Sequence, residues 1–269
     1  MSRTTWEPDL VSPALLALTN LLGEPARDLA VLAEGNTSEL LDDGRLVVKA
    51  SGAGLRDATV EDFVIADVDE VMAVVDDPDT TQLDLSAVLV AEGTERPGGA
   101  GPRRGSIETV VHAAVHTVAR DAGIADTARF IGHTHPTDVV GLLASVRAAE
   151  AWTHIVYSDE AVVIGRPLFV PYATPGIALG RIYATALREY VGTHRALPQL
   201  VLLANHGIVA IAPTAAGVEA VSTMAVKGAR VRATAYAVGG VAPLSDEDVE
   251  KFFARDDIAE RRTNLAQGR

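Results

Sequence analysis

The stretch that most restricts how this chain can fold is Ile131-Gly132-His133-Thr134-His135-Pro136. The apolar run 128–131 before it reads as the end of a strand, and Pro136 stops that strand. On a strand, residues i and i+2 point to the same face, so His133 and His135 can converge on one point. A third histidine, His206, follows a second apolar strand, Val201-Leu202-Leu203-Ala204-Asn205. Three neutral imidazoles meeting at one point, with a fourth position open, are what a catalytic divalent metal needs. A fold that satisfies this must bring the ends of two strands, separated by about seventy residues, side by side.

Composition narrows the chemistry. The chain of 269 residues has no cysteine, so disulfides and thiolate metal sites are excluded and any metal sits on histidine and carboxylate. A net charge of -13 argues against nonspecific binding to nucleic acid or to anionic membranes. It leaves room for a small anionic ligand, which needs only a local cluster of donors. The N-terminus has no signal-peptide layout. No apolar run approaches the ~20 residues of a membrane span, so the default expectation is a cytoplasmic protein.

The rest of the chain is read as a scaffold for that point. Residues 8–22 predict a first helix with a leucine face. Gly35-Asn36-Thr37-Ser38-Glu39 predicts a loop whose amides face an anion. A hairpin follows, 39–41 and 45–50 around Asp42-Asp43-Gly44, and it delivers Lys49-Ala50-Ser51-Gly52 to a second such loop. There Ser51 and Gly52 can approach a phosphate and Lys49 can supply charge. Read singly, each loop is also ordinary turn chemistry. Residues 59–62 predict a capped turn before a strand at 63–66. Residues 92–105, rich in Gly, Pro and Arg, predict a mobile surface loop.

Ser106 is expected to cap a helix running to about residue 122. Glu108, His112 and His116 recur every four residues and share one face of it. That spacing allows a second metal pair, or a glutamate acting as acid/base with His112 beneath it. Further helices are expected at 137–145, 147–156, 177–193, 214–237 and 246–262, with a short strand at 161–165.

Five pieces, in order, now resemble the class II aldolase/adducin family, the group containing fuculose- and rhamnulose-phosphate aldolases. They are Gly35-Asn36-Thr37-Ser38, Ala50-Ser51-Gly52, Ser106-Ile107-Glu108 with His112, His133-Thr134-His135-Pro136, and Asn205-His206-Gly207. The resemblance implies a single domain over residues 1–269, a three-layer α/β/α fold around a mixed, largely antiparallel sheet. It implies that His133, His135 and His206 bind Zn2+, or another divalent ion such as Mn2+, Co2+, Ni2+ or Fe2+. Glu108 would be the acid/base, with His112 as support, and Asn36, Ser51, Gly52 and Ser106 would line a phosphate pocket, Lys49 adding charge. The expected substrate is a small, anionic, sugar-derived molecule, and the expected assembly a homotetramer.

The implied reaction is cleavage of a ketose 1-phosphate to dihydroxyacetone phosphate and an aldehyde through a metal-stabilised enediolate. A sugar-phosphate epimerase, a 3-oxo-acid phosphate decarboxylase and a methylthioribulose-phosphate dehydratase use the same core. An adducin-like scaffold would not need it, and retention of all three histidines and Glu108 argues against that reading. One departure stands out: fuculose-phosphate aldolases carry two consecutive serines before the glutamate, and here the second is Ile107.

Overall fold

The computed structural model describes residues 4–95 and 101–266. Helix α1 (Pro13–Leu22) starts at Ser12, whose hydroxyl accepts from the Leu15 N–H, and Pro13 takes the first helical position, where no N–H is needed. The expected helix over 8–22 is therefore interrupted: Pro8–Leu10 is a separate 3-10 turn, because the capping residue Ser12 is extended.

Strands β1 (Asn36–Leu40) and β2 (Arg45–Lys49) form the expected hairpin, turning at Gly44 in the left-handed region. Residues 36–38, expected to be loop, belong to β1 and lie in the middle of the sheet. The polar side chains of residues 37–39 are buried because each finds a partner: Thr37 meets Thr19 at 2.5 Å, Ser38 meets His112, and Glu39 pairs with Arg129 at 3.0 Å. Strand β3 (Phe63–Asp67) follows a capping box between Thr59 and Asp62. Helices α2 (Val68–Asp76) and α3 (Gln82–Val88) come next.

The stretch expected as a mobile loop is instead a ribbon of β4 (Val90–Glu95) and β5 (Pro102–Arg104), with residues 96–100 of that expectation outside the described residues. Arg103 is buried, stacked on Trp6 at 4.1 Å and donating to the carbonyls of Glu61 and Glu95, so it serves the scaffold.

Helix α4 (Thr109–Asp121) begins two residues later than expected. Ser106 makes a turn, its carbonyl accepting from the Thr109 N–H at 3.0 Å, and Glu108 takes the N-cap position. Then come β6 (Phe130–Thr134) and α5 (Thr137–Leu143). Residues 147–152 are turns and 153–154 a bend, not the expected helix. The expected strand at 161–165 is covered by α6 (Ser158–Val163). A short apolar run does not decide between helix and strand; here acids at the helix start and the fully buried pair of Glu160 with Arg232 fix the helix.

Strand β7 (Leu168–Val170), α7 (Ile177–His194), β8 (Leu200–Leu203), β9 (Gly207–Ala212) and α8 (Ala215–Ala237) follow. The expected terminal helix is two, α9 (Asp246–Phe253) and α10 (Asp256–Ala266), separated at Ala254-Arg255.

The seven-stranded sheet has the order β3-β2-β1-β6-β9-β8-β7, antiparallel throughout except for the β7–β8 pair. Alternation along the strands feeds two cores. On β9, Val209 and Ile211 face a layer with α2, α4 and α7, while Ile208, Ala210 and Ala212 face α1, α5 and α8. Each fully buried aliphatic side chain contributes about 1.5–3 kcal/mol, so the two cores fix which face every strand residue takes. This is the mixed three-layer α/β architecture that was expected. Among the described residues no helix is long and apolar enough to cross a membrane.

Candidate metal centre and its carboxylate

His133 is the fourth residue of β6, and its parity puts it on the α4 side of the sheet, with Ile131. His135 lies just past the strand end, where its N–H donates to the Leu29 carbonyl at 2.8 Å. The two Nε2 atoms are 2.9 Å apart, as the spacing of two predicts. His206 sits in the three-residue connection between β8 and β9, after Asn205 in the left-handed region. Because β9 pairs with β6, Thr134 opposite Ile208, that connection stands beside the end of β6. The three rings are 4.7, 4.9 and 5.0 Å apart, centroid to centroid. Gly207 is required for this approach: a Cβ there would lie 2.5 Å from His135 Cδ2 and closer still to the Thr134 carbonyl.

Glu108 completes the cluster. Its Oε1 is 3.1 Å from His206 Nε2 and 3.6 Å from His133 Nε2. Its Oε2 accepts from Asn36 Nδ2 at 2.9 Å and from Ser106 Oγ at 3.2 Å. Asn36 reaches it because the β1–β6 register sets Asn36 directly opposite His133. Burial raises the Glu108 carboxyl, but His133 and His206 outweigh it and hold it well below the usual carboxylate range. Burial opposes charge on His133, yet the facing carboxylate raises its pKa. His135 is lowered to about 3, by burial first and then by the other two rings, so it is neutral.

These residues fit a divalent cation. His133 Nδ1 donates to the Ile208 carbonyl at 2.9 Å, which leaves the Nε2 lone pair facing the cluster. The ligand atoms of the three histidines lie within 4.8 Å of one another, and Glu108 adds the negative charge that draws a cation there. No other such group of histidine and carboxylate is found among the described residues. The alternative pair at His112 and His116 is buried in the core, with His112 Nδ1 occupied by Ser38.

The residues expected to bind an anion divide into two sets. Asn36 and Ser106 are in the cluster, both on Glu108 Oε2. Lys49, Ser51 and Gly52 lie on the adjoining segment, which is stitched to 104–106 by Ser51 N–H to Arg104 O at 2.8 Å and Ser106 N–H to Lys49 O at 3.2 Å. Lys49 Nζ turns inward and donates to the carbonyls of Ala50 and Ala53. His112, read from the sequence as support for Glu108, makes its hydrogen bond to Ser38 Oγ at 2.6 Å. Burial lowers the His112 pKa to about 3, His133 and His116 adding to it.

Three contributors escaped the sequence reading. Ile208 acts through its backbone, and Ser38 was hidden in what read as loop. Glu34 Oε2 lies 3.6 Å from His135 Nδ1, and its only sequence signal is its place before Gly35. Gly35 has φ of 72°, and a Cβ on it would lie 2.7 Å from the His133 carbonyl.

Comparison with known families decides the ancestry of this arrangement. The family profile described as Class II Aldolase and Adducin N-terminal domain matches residues 14–232. The chain belongs to this family. Its histidine cluster and Glu108 both fall inside the matched region. Comparison with curated proteins gave no match. Solved class II aldolase structures share the fold at low identity. An L-fuculose 1-phosphate aldolase superposes with a TM-score of 0.61 at 20% identity, covering 90% of this chain and 95% of that one. The L-fuculose-1-phosphate aldolase from Thermus thermophilus gives 0.56 at 20%, covering 86% and 100%. The N-terminal class II aldolase domain of a conserved protein from Thermoplasma acidophilum gives 0.56 at 20%, covering 81% and 91%.

Proposed function

We propose that this class II aldolase family member is a metal-dependent lyase that cleaves a ketose 1-phosphate to dihydroxyacetone phosphate and an aldehyde. The observation that carries the reading is the divided carboxylate of Glu108, one oxygen on the histidine cluster and the other held by Asn36 and Ser106. His133, His135 and His206 would hold the ion, zinc in the first instance. When bound, the ion supplies Lewis-acid stabilisation of the negative charge that carbon–carbon cleavage leaves on the ketone fragment.

The remaining work falls to the chain. Glu108 stays ionised at neutral pH because its histidine neighbours outweigh its burial, so it can accept a proton from the substrate hydroxyl and return it to carbon. As Glu108 turns toward substrate, Asn36 Nδ2 and Ser106 Oγ are released to donate to the substrate's anionic group. Ser51 and Gly52 extend that cradle, and Lys49 underlies it. One observation favours a second reading. Ile107, exposed beside Ser106, offers no hydroxyl where fuculose-phosphate aldolases have a serine, so the anion cradle departs from theirs, and a 3-oxo-acid phosphate decarboxylase, which uses the same metal-and-enolate core, is the second reading.

Incubating the purified protein with ketose 1-phosphates and with 3-oxo-acid phosphates, with and without chelator, and reading products by mass spectrometry separates the two. Dihydroxyacetone phosphate that disappears with chelator is the expected result; carbon dioxide release instead would replace the aldolase reading. On the substrate so found, Glu108→Gln should keep the metal and lower the catalytic rate constant by ~10²–10⁴-fold with little change in KM. Near-wild-type turnover in that variant would show that the proton is handled elsewhere.

A further inference from the structure

Behind the histidine cluster lies a hydrogen bond that the chemistry above does not use. Ser38 Oγ and His112 Nδ1 are 2.6 Å apart, and neither residue has exposed surface. The bond can form in either tautomer: a protonated Nδ1 donates to the hydroxyl, and an unprotonated one accepts from it.

Its position relates it to Glu108. Ser38 and Asn36 are two apart on β1 and share a face. His112 and Glu108 are four apart at the start of α4 and share a face there. Two strand residues span ~6.8 Å. Four helix residues span ~6 Å. The two elements are thus joined by two rungs nearly in register: Asn36 Nδ2 to Glu108 Oε2 at 2.9 Å, at the site, and Ser38 to His112, buried behind it. Strand β1 is paired on both edges, by β2 and β6, and cannot shift. The N-cap residue Glu108 makes no side-chain cap of its own; the start of α4 is held locally by Ser106, whose Oγ accepts from the Glu108 N–H at 3.4 Å and whose carbonyl accepts from Thr109 Oγ1 at 2.6 Å, and the Ser38–His112 bond ties it to β1 one turn further in. Among the described residues His112 Nε2 has no partner, so losing the Ser38 hydroxyl would leave both buried ring nitrogens without one.

We propose that Ser38 and His112 are positioning residues: their bond sets the start of α4 against β1 and thereby aims the Glu108 carboxylate at the histidine cluster. The proposal rests on the acid/base role assigned to Glu108. It goes beyond that role in making catalysis depend on a residue that touches neither substrate nor metal.

The test has one arm that needs no substrate. In a crystal structure of Ser38→Ala, the contact between Asn36 Nδ2 and Glu108 is expected to open beyond hydrogen-bond distance; retention of the wild-type contact would overturn the proposal whatever the reaction is. The second arm is a cycle of turnover measurements. Ser38→Ala should lower the rate constant about 10- to 100-fold, as small misplacements of catalytic groups do, with KM little changed. In a Glu108→Gln background the same substitution should add nothing. An equal loss in both backgrounds, or wild-type turnover in Ser38→Ala, would contradict the proposal. Should Ser38→Ala fail to fold, the pair His112→Asn and His112→Leu replaces it. Asparagine keeps a polar atom near Nδ1 and should retain turnover; leucine should lose it, and equal behaviour of the two refutes the pairing. A fully active Glu108→Gln would remove the acid/base reading alone, and the structural arm would still decide the pairing.

Discussion

Lys49 is a charge held almost without water: the residue is 1% exposed, and its ammonium is shared between the carbonyls of Ala50 and Ala53. Burial lowers its pKa from 10.5 to about 8, with Asp62 and Glu108 pulling only partly back. Below about pH 8 the folded and unfolded chains both carry the proton, and the folded state bears the full cost of burying it. Above 10.5 neither does. Between those values the unfolded chain binds more protons, so stability should rise with pH, by about 3 kcal/mol in all for this group. Urea unfolding of wild type and Lys49→Met across about pH 7–10.5 would show it: the wild-type curve should gain on the variant as pH rises. Parallel curves would mean that Lys49 keeps an ordinary pKa. The residue was legible as a cation near the site; its inward direction was not, because it depends on where the 50–53 backbone turns.

At the scale of elements, the site depends on the β8–β9 connection standing beside the end of β6. Gly207 makes that possible, since any Cβ would meet the Thr134 carbonyl and the His135 ring. Gly207→Ala should therefore move His135 or His206 and weaken metal retention about 10- to 100-fold, the range seen when ligand support is lost. Isothermal titration with Zn2+ reads this directly, and unchanged affinity would show that the turn adapts. The histidine positions were legible because a period of two is local to one strand. Strand β1 was not: Asn36-Thr37-Ser38-Glu39 carries no apolar pattern, and it is a strand because Ser12, Thr19, His112 and Arg129 reach it from elsewhere in the fold. The same holds for α6, whose direction is fixed by the distant Arg232, and for the β4–β5 ribbon, anchored through Arg103 on Trp6.

Across the whole molecule, two cores on opposite faces of one sheet decide which side chains meet. Asn36, Ser38 and His133 share the α4 face of the sheet, and Glu108 enters from the start of α4. Family resemblance supplied the architecture, and strand spacing supplied the histidine cluster. It did not supply the bonding of Asn36 and Ser106 to Glu108, which appears only when β1, α4 and β6 are placed together. The central claim is that the cluster is a metal centre, and metal content per chain tests it most directly. Wild-type protein, dialysed and measured by plasma mass spectrometry, should hold about one divalent ion per chain, while folded His133→Ala and His206→Ala should hold none. Full occupancy in both variants, or none in wild type after exposure to Zn2+, would contradict it.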